Sequence, residues 1–275
     1  SDQAADFVRD HHAARPDEPL FLYVAYTAPH WPLHALEEDT ARYRETYRSG
    51  WDQTRERRFE RLRQMGLIAP EWDLPPRDPS APEWNGLTDA QREDLALRMA
   101  VYAAQVDRMD QGIGRILQAL RSTGRFEQTL VLFLADNGGC AEGGPMGFER
   151  KPGGAMGTDA SFASYGLSWA NVSNTPFRLY KHWVHEGGIA SPLVVHWPGQ
   201  APAGAVRHEP CHIIDLMPTC LAAAGAAYPA TADGHGILPL QGRNLLPTAK
   251  GEPGEPRWPF WEHEGNRAVR FGDRK

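Results

Sequence analysis

The sequence predicts an α/β fold in which a largely parallel sheet lies under helices. Three observations carry this reading. Residues 20–26, 130–134 and 193–197 are short apolar runs bounded by Pro, Gly, Asp or Asn, which is the form of strands, and the 130–134 run is unbroken, as in strands buried on both faces. Residues 88–124 carry the pattern of a long amphipathic helix. That helix pattern feeds directly into the 130–134 run, a helix-then-strand unit typical of α/β folds.

A chain of 275 residues with 41% hydrophobic content can bury a core as one large domain, or as one domain with a small appendage. A formal charge of -6 argues against nucleic acid as a partner, since it implies no broad basic face. The basic stretch 55–63 is interrupted by Glu56 and Glu60 and reads as a solvated helix face. Three cysteines are too few and too widely spaced for a disulfide framework or a Cys-rich zinc site. No apolar run is long enough to span a bilayer.

Taken in order, residues 2–14 read as a short helix closed by Arg15-Pro16. After the 20–26 strand, the segment 27–34 is held extended or turned by Pro29 and Pro32. His30 therefore sits on a rigid loop just past a strand end, a better place than most for catalysis or ligand contact. Residues 36–50 and 51–65 are two charged, helix-compatible stretches. Residues 69–85 are rich in Pro, Trp and acids, an irregular excursion that either walls a cleft or is a mere insertion.

Thr88-Asp-Ala-Gln91 has the form of a capping box. Leu95, Met99, Tyr102, Val106, Met109, Ile113, Ile116 and Leu120 then recur at spacings of three and four, on a helix of about eight or nine turns. Gly124 stops it. Gln105, Asp107 and Asp110 fall off the stripe and read as solvent-facing.

Asp136 and Asn137 emerge at the carboxyl end of the 130–134 strand, where open α/β sheets bind ligands. A carboxylate beside an amide oxygen suits a hard cation such as calcium or magnesium. The same residues also fit a plain Asn-Gly turn. The glycine-rich stretch 138–157 is a loop over the strand ends. Lys181, His182, His185 and Glu186 then lie within six residues before a Gly-Gly turn. A lysine there suits an anion, as a compact point charge. His182 and His185, three apart, suggest either a metal pair or packing roles. Residues 212–224 read as a helix with Asp215 as cap and Pro218 in its first turn. Residues 228–255 are turn-rich and linker-like. Phe260-Trp-Glu-His263 and Arg267-Ala-Val-Arg-Phe271 form a candidate hairpin around Gly265-Asn266.

Together these motifs resemble the type I (formylglycine-dependent) sulfatases of the alkaline-phosphatase-like superfamily. The resemblance rests on Ala28-Pro-His-Trp-Pro-Leu-His34, the Asp136-Asn-Gly138 strand end, Asn174-Thr-Pro-Phe-Arg-Leu-Tyr-Lys-His-Trp-Val-His-Glu-Gly-Gly188 and Asp215-Leu-Met-Pro-Thr219. It implies an α/β/α sandwich with a mixed, mostly parallel sheet over residues 1–226, followed at 227–275 by a linker and the start of a small antiparallel subdomain. It implies hydrolysis of a small-molecule or carbohydrate sulfate ester with calcium. Asp136 and Asn137 would be calcium ligands, Lys181 would bind the sulfate oxygens, and His30 would contact the ester and help protonate the departing alcohol. Family members are often exported or lysosomal.

The departures from the family pattern are specific. The family nucleophile is a formylglycine made in a Cys/Ser-x-Pro-x-Arg motif, and no cysteine or serine of this sequence has that context. The Asp-Asp pair that completes the calcium shell is also absent. The expectation is a second half of a catalytic domain, inactive alone. Two other readings stay open: a phosphoester or phosphonate hydrolase of the same superfamily, and a non-catalytic binding module.

Overall fold

The computed structural model describes residues 1–254, 257–272 and 274–275. Helix α1 (Asp2–Ala14) ends where the sequence placed its stop. It turns Ala5 and Val8 onto Ala119 and Leu120 of the long helix, burying all four. Residues 20–26 follow in extended conformation, with Leu22 packed toward this cluster and Phe21 and Tyr23 turned outward, 76% and 81% exposed. The period-two alternation of a strand is present. Its ladder is not: no strand pairs with this segment among the described residues, so the expected buried strand is a half-buried extended segment.

Helix α3 (Gly50–Gln64) matches the second of the two helix-compatible stretches, whereas the first holds only the short α2 (Glu37–Ala41). Trp51 of α3, Trp84 of the excursion and Trp169 pack edge to face around one point, with centroids 4.7 to 5.9 Å apart. Such tilted contacts set the negative ring face against the positive edge of a neighbour. The excursion 69–85 is thus a core component as well as a surface feature. It also receives Arg55, a buried residue of the stretch read as solvated, whose guanidinium donates to the Pro75 carbonyl at 3.0 Å.

Helix α4 (Asp89–Ser122) begins with the predicted capping box, Gln91 N–H donating to Thr88 Oγ1 at 3.3 Å and Thr88 N–H to Gln91 Oε1 at 3.0 Å. Its faces differ from the pattern in one respect. Gln105 is buried and Val106 is 38% exposed, because α4 is covered from several sides along its 34 residues and no single stripe describes it. Asp107 is tied to Arg42 at 2.9 Å and to the Tyr43 hydroxyl at 3.0 Å, anchoring the segment after α2 rather than facing free solvent.

Strand β1 (Val131–Leu134) precedes α5 (Gly166–Ser173), the single turn α6 (Glu186–Ile189) and β2 (Leu193–His196). The predicted α/β class holds. At the level of this strand, pairing and burial differ from expectation. β1 pairs antiparallel with β2, Phe133 opposite Val194, and both side chains are exposed. The chain between the two strands folds back on itself, so that Gly138 N–H already bonds the Gly188 carbonyl at 3.0 Å, and an antiparallel ribbon follows from that return. The parallel pairing seen among the described residues is an isolated bridge, His34 to Gly157.

Helix α7 (Leu216–Ala224) follows, closed by Gly225 in the left-handed conformation. The Asp215 carboxylate does not cap it. Wholly buried, it instead accepts from His212 N–H, Arg243 N–H and the Arg257 guanidinium, joining α7 to the chain after it. The linker-like stretch contains a minimal hairpin, β3 (Thr231–Ala232) with β4 (His235–Gly236), and α8 (Leu246–Lys250); its last residue, Glu255, lies outside the described residues. The last hairpin pairs β5 (Phe260–His263) with β6 (Asn266–Val269) around Glu264-Gly265, one residue earlier than predicted. No helix among the described residues is long and apolar enough to cross a membrane.

Candidate active site

Two glycine pairs interlock to build the site. A β-carbon on Gly138 would meet the Gly187 carbonyl oxygen at 1.7 Å, and one on Gly187 would meet the Leu179 carbonyl at 2.0 Å. Only backbones without side chains can approach so closely. The Asp136-Asn137 strand end is thereby pressed against the turn that follows Lys181. The Asn174 amide completes the stitching. Its oxygen accepts Gly139 N–H at 2.8 Å, and its nitrogen donates to Leu179 and Gly187 carbonyls at 2.7 and 2.8 Å. Lys181 N–H in turn donates to the Gly139 carbonyl at 3.1 Å.

His30 and Lys181, far apart in sequence, meet here, with 3.2 Å between Lys181 Nζ and His30 Nε2. His30 Nδ1 lies 2.8 Å from the Trp31 carbonyl oxygen. A carbonyl only accepts, so Nδ1 carries the hydrogen, and in the neutral ring Nε2 is the lone pair facing the lysine. Glu142 closes the group. One carboxylate oxygen accepts from the Trp31 indole at 2.9 Å and the other lies 3.5 Å from Lys181 Nζ.

Trp31 is held between Phe148 and Phe162, ring centroids 5.1 and 5.7 Å away. The Arg150 guanidinium lies over all three rings at 4.5 to 5.5 Å. Buried Arg98 of α4 holds the loop beneath, donating to the Phe148 and Ser164 carbonyls at 2.7 and 3.0 Å.

The four residues singled out from sequence do not all touch. His30 and Lys181 come together. Asn137 turns its amide onto the Gly138 carbonyl at 2.8 Å. Asp136 is exposed and its carboxylate has no hydrogen-bond or ion-pair partner among the described residues. Glu142 and Asn174 were missed. The available signal for Glu142 was a single acid just after a strand end in a glycine-rich loop, and for Asn174 there was none beyond its amide before Thr175-Pro176.

The nearby thiol is not an activated nucleophile. Burial pushes the Cys140 pKa up, with Lys181 opposing only weakly, so the thiol stays protonated near neutral pH. His182 and His185 do not form the pair their spacing suggested. His182 instead faces Glu264 and His263, while burial and the charges of Arg178 and Lys275 lower the His185 pKa.

The chain is similar in sequence to several known proteins. An arylsulfatase of Klebsiella aerogenes is 33% identical over 243 residues, 85% of this chain and 52% of the relative. Human N-sulphoglucosamine sulphohydrolase is 30% identical over 251 residues, 90% of this chain and 39% of its own. An uncharacterized sulfatase of Schizosaccharomyces pombe is 33% identical over 283 residues, 94% of this chain and 49% of that protein. The chain thus spans about half the length of the curated relatives it matches.

Among solved structures, Ps i-CgsB superposes with a TM-score of 0.57 at 24% identity, over 98% of this chain and 44% of that one. A Bacteroides thetaiotaomicron protein whose structure concerns metabolism of multiple glycosaminoglycans gives 0.53 at 18% identity, over 98% and 46%. These structures share the alkaline-phosphatase-like fold, and the α/β class read from the sequence belongs there. The model of the family described as Sulfatase matches residues 1–226, and the chain belongs to that family.

Proposed function

We propose that the protein hydrolyses a sulfate ester of a small molecule or carbohydrate. The observation that carries the reading is the 3.2 Å approach of Lys181 Nζ to His30 Nε2 beside the Asp136-Asn137 strand end. An ammonium and an imidazole at that distance suit the two ends of one scissile S–O bond. Lys181 holds the sulfate oxygens, exchanging its 3.5 Å contact with Glu142 for a charge-assisted bond to the ester's anionic oxygens. The sulfuryl group would pass to a nucleophile that these 275 residues do not supply. His30, as the imidazolium with a second proton at Nε2, would give that proton to the ester oxygen as the bond to sulfur breaks, so the alcohol leaves neutral. Its Nδ1–H bond to the Trp31 carbonyl keeps Nε2 pointed at the leaving group. The name of the human relative speaks for sulfated sugars, that of the Klebsiella relative for aryl esters.

Asp136 and Asn137 fit part of a calcium shell. Both offer hard oxygen donors, and the Asp136 carboxylate is unengaged among the described residues. Calcium takes about six to eight oxygens, so these two are a minority of the shell. When bound, the ion supplies positive charge that stabilises the transferring sulfuryl group. No Cys/Ser-x-Pro-x-Arg motif occurs in the 275 residues, and we expect these residues by themselves to turn over no sulfate ester. Residues 227–275 are read as a linker and a small antiparallel unit built on the β5–β6 hairpin.

The test is an aryl sulfate assay with calcium, after chelation and on Asp136→Asn, for the 275 residues and for a version extended upstream. Activity of the extended form that chelation abolishes and calcium restores is the expected result. Robust turnover by the 275 residues alone overturns the nucleophile argument. Preference for a phosphate ester over the matching sulfate would favour the phosphoester or phosphonate hydrolase.

A further inference from the structure

Beside Lys181, but outside the proposed sulfate site, three ligand-type side chains converge from two parts of the chain. His182 directly follows Lys181. His263 ends β5, and Glu264 opens the turn to β6. One ligand atom from each lies within 4.8 Å of the others, and His182 Nδ1 is 3.1 Å from Glu264 Oε2. The rings of His182 and His263 stand nearly perpendicular, 5.4 Å between centroids, and Trp183 packs edge-on against His182 at 5.1 Å.

Local backbone preference does not account for this arrangement. His182 has φ of 88° and Glu264 φ of 50°, both in the left-handed region. The Glu264-Gly265 turn has positive φ at both central residues, the two-residue type I′ form in which Asn, Asp or Gly is favoured at the first position. Glutamate there is a poor turn former, because the left-handed conformation crowds its β-carbon against the following carbonyl oxygen. Local strain that points side chains at one another is a reason to look for a ligand between them.

We propose that His182, His263 and Glu264 bind one borderline divalent transition metal of the zinc class. Two imidazole nitrogens and one carboxylate oxygen are the donor set of open zinc sites, in which the fourth position is left to water or substrate. Nitrogen donors also disfavour calcium, so this site and the oxygen site at Asp136 select different ions. Donor atoms around tetrahedral zinc sit about 3.3 Å apart, given bonds of about 2.0–2.1 Å. All three residues are exposed, which leaves their side chains room to rotate and close from 4.8 Å. The bound ion would tie the β5–β6 hairpin, marginal in isolation, to the segment that presents Lys181. This holds whether or not the sulfatase reading does.

The test is zinc calorimetry on the purified protein, with cobalt(II) absorption as a second readout. We expect one zinc per chain and a cobalt spectrum of tetrahedral intensity. His263→Ala should weaken zinc binding by at least about tenfold, and His182→Asn, which tolerates the left-handed backbone, likewise. Asp136→Asn should leave zinc affinity unchanged. Far-UV circular dichroism checks that the variants fold. Absence of saturable zinc uptake by the unmodified protein overturns the proposal and leaves a plain His–Glu contact. Zinc binding that survives the His182→Asn/His263→Ala double variant overturns it as well.

Discussion

Lys181 Nζ and His30 Nε2 lie 3.2 Å apart across 151 residues of sequence. His30 is aimed by its bond to the Trp31 carbonyl and by Trp31's seat between two phenylalanines. Lys181 is aimed by the Gly139 carbonyl and the glycine interlock behind it. The pair is a product of two loops packed against one strand end.

If His30 protonates the departing alcohol, its loss should matter most for poor leaving groups. His30→Ala is expected to lower kcat for an alkyl or sugar sulfate by about 10²–10⁴-fold. The loss should shrink markedly for aryl sulfates whose phenols are acidic. Rates across a series of leaving groups check this in the active protein. An equal loss across the series would refute the acid role.

The glycine interlock should be intolerant of a single methyl group. Gly138→Ala places a β-carbon 1.7 Å from the Gly187 carbonyl oxygen, a backbone atom that cannot swing aside. Overpacking of this kind costs about 1–3 kcal/mol, and this contact belongs at the upper end. Urea denaturation measures it. Gly144→Ala, where the added atom meets nothing within 4 Å but φ is 72°, should cost less and serves as the control for backbone strain.

Asn174→Ala removes three hydrogen bonds at once, of which the one to the Gly187 carbonyl is buried and those to Gly139 and Leu179 are part-buried. A buried group that cannot reach water costs about 1–3 kcal/mol, so the Gly187 carbonyl alone sets an expected loss of about that size. Asn174→Asp keeps the acceptor and should recover only the Gly139 bond. Thermal unfolding of both variants separates the contributions.

Stability should fall on the alkaline side. Burial, then the hydrogen bond and charge of Asp78, raise the Tyr180 pKa above its ordinary value of 10.0. Burial does the same for Tyr165 and Tyr102. A folded pKa above the unfolded one means full stabilisation below pH 10, lost as pH rises past it, because the unfolded chain releases protons the fold retains. Unfolding free energy measured from pH 8 to 11 should turn down near 10. Tyr180→Phe should flatten that decline without abolishing it, since Tyr102 and Tyr165 remain.

The sequence by itself determined the elements whose cause is local. The Thr88–Gln91 box starts α4 because two side chains satisfy two orphan amides within four residues. Gly225 ends α7 because a left-handed residue is needed there. His30, Lys181, Asp136 and Asn137 were legible as candidates because their residue types and their loop positions both carry chemistry. Only the tertiary structure decided which of them meet. The antiparallel return of β2 along β1, the unpaired 20–26 segment, the Glu142 contact to Lys181 and the convergence of His182 with His263 and Glu264 all depend on contacts between distant segments. Spacing along a chain encodes the turn of a helix or the alternation of a strand. It does not encode which loop closes on which, because that choice is made by backbones that fit together only where glycine leaves room.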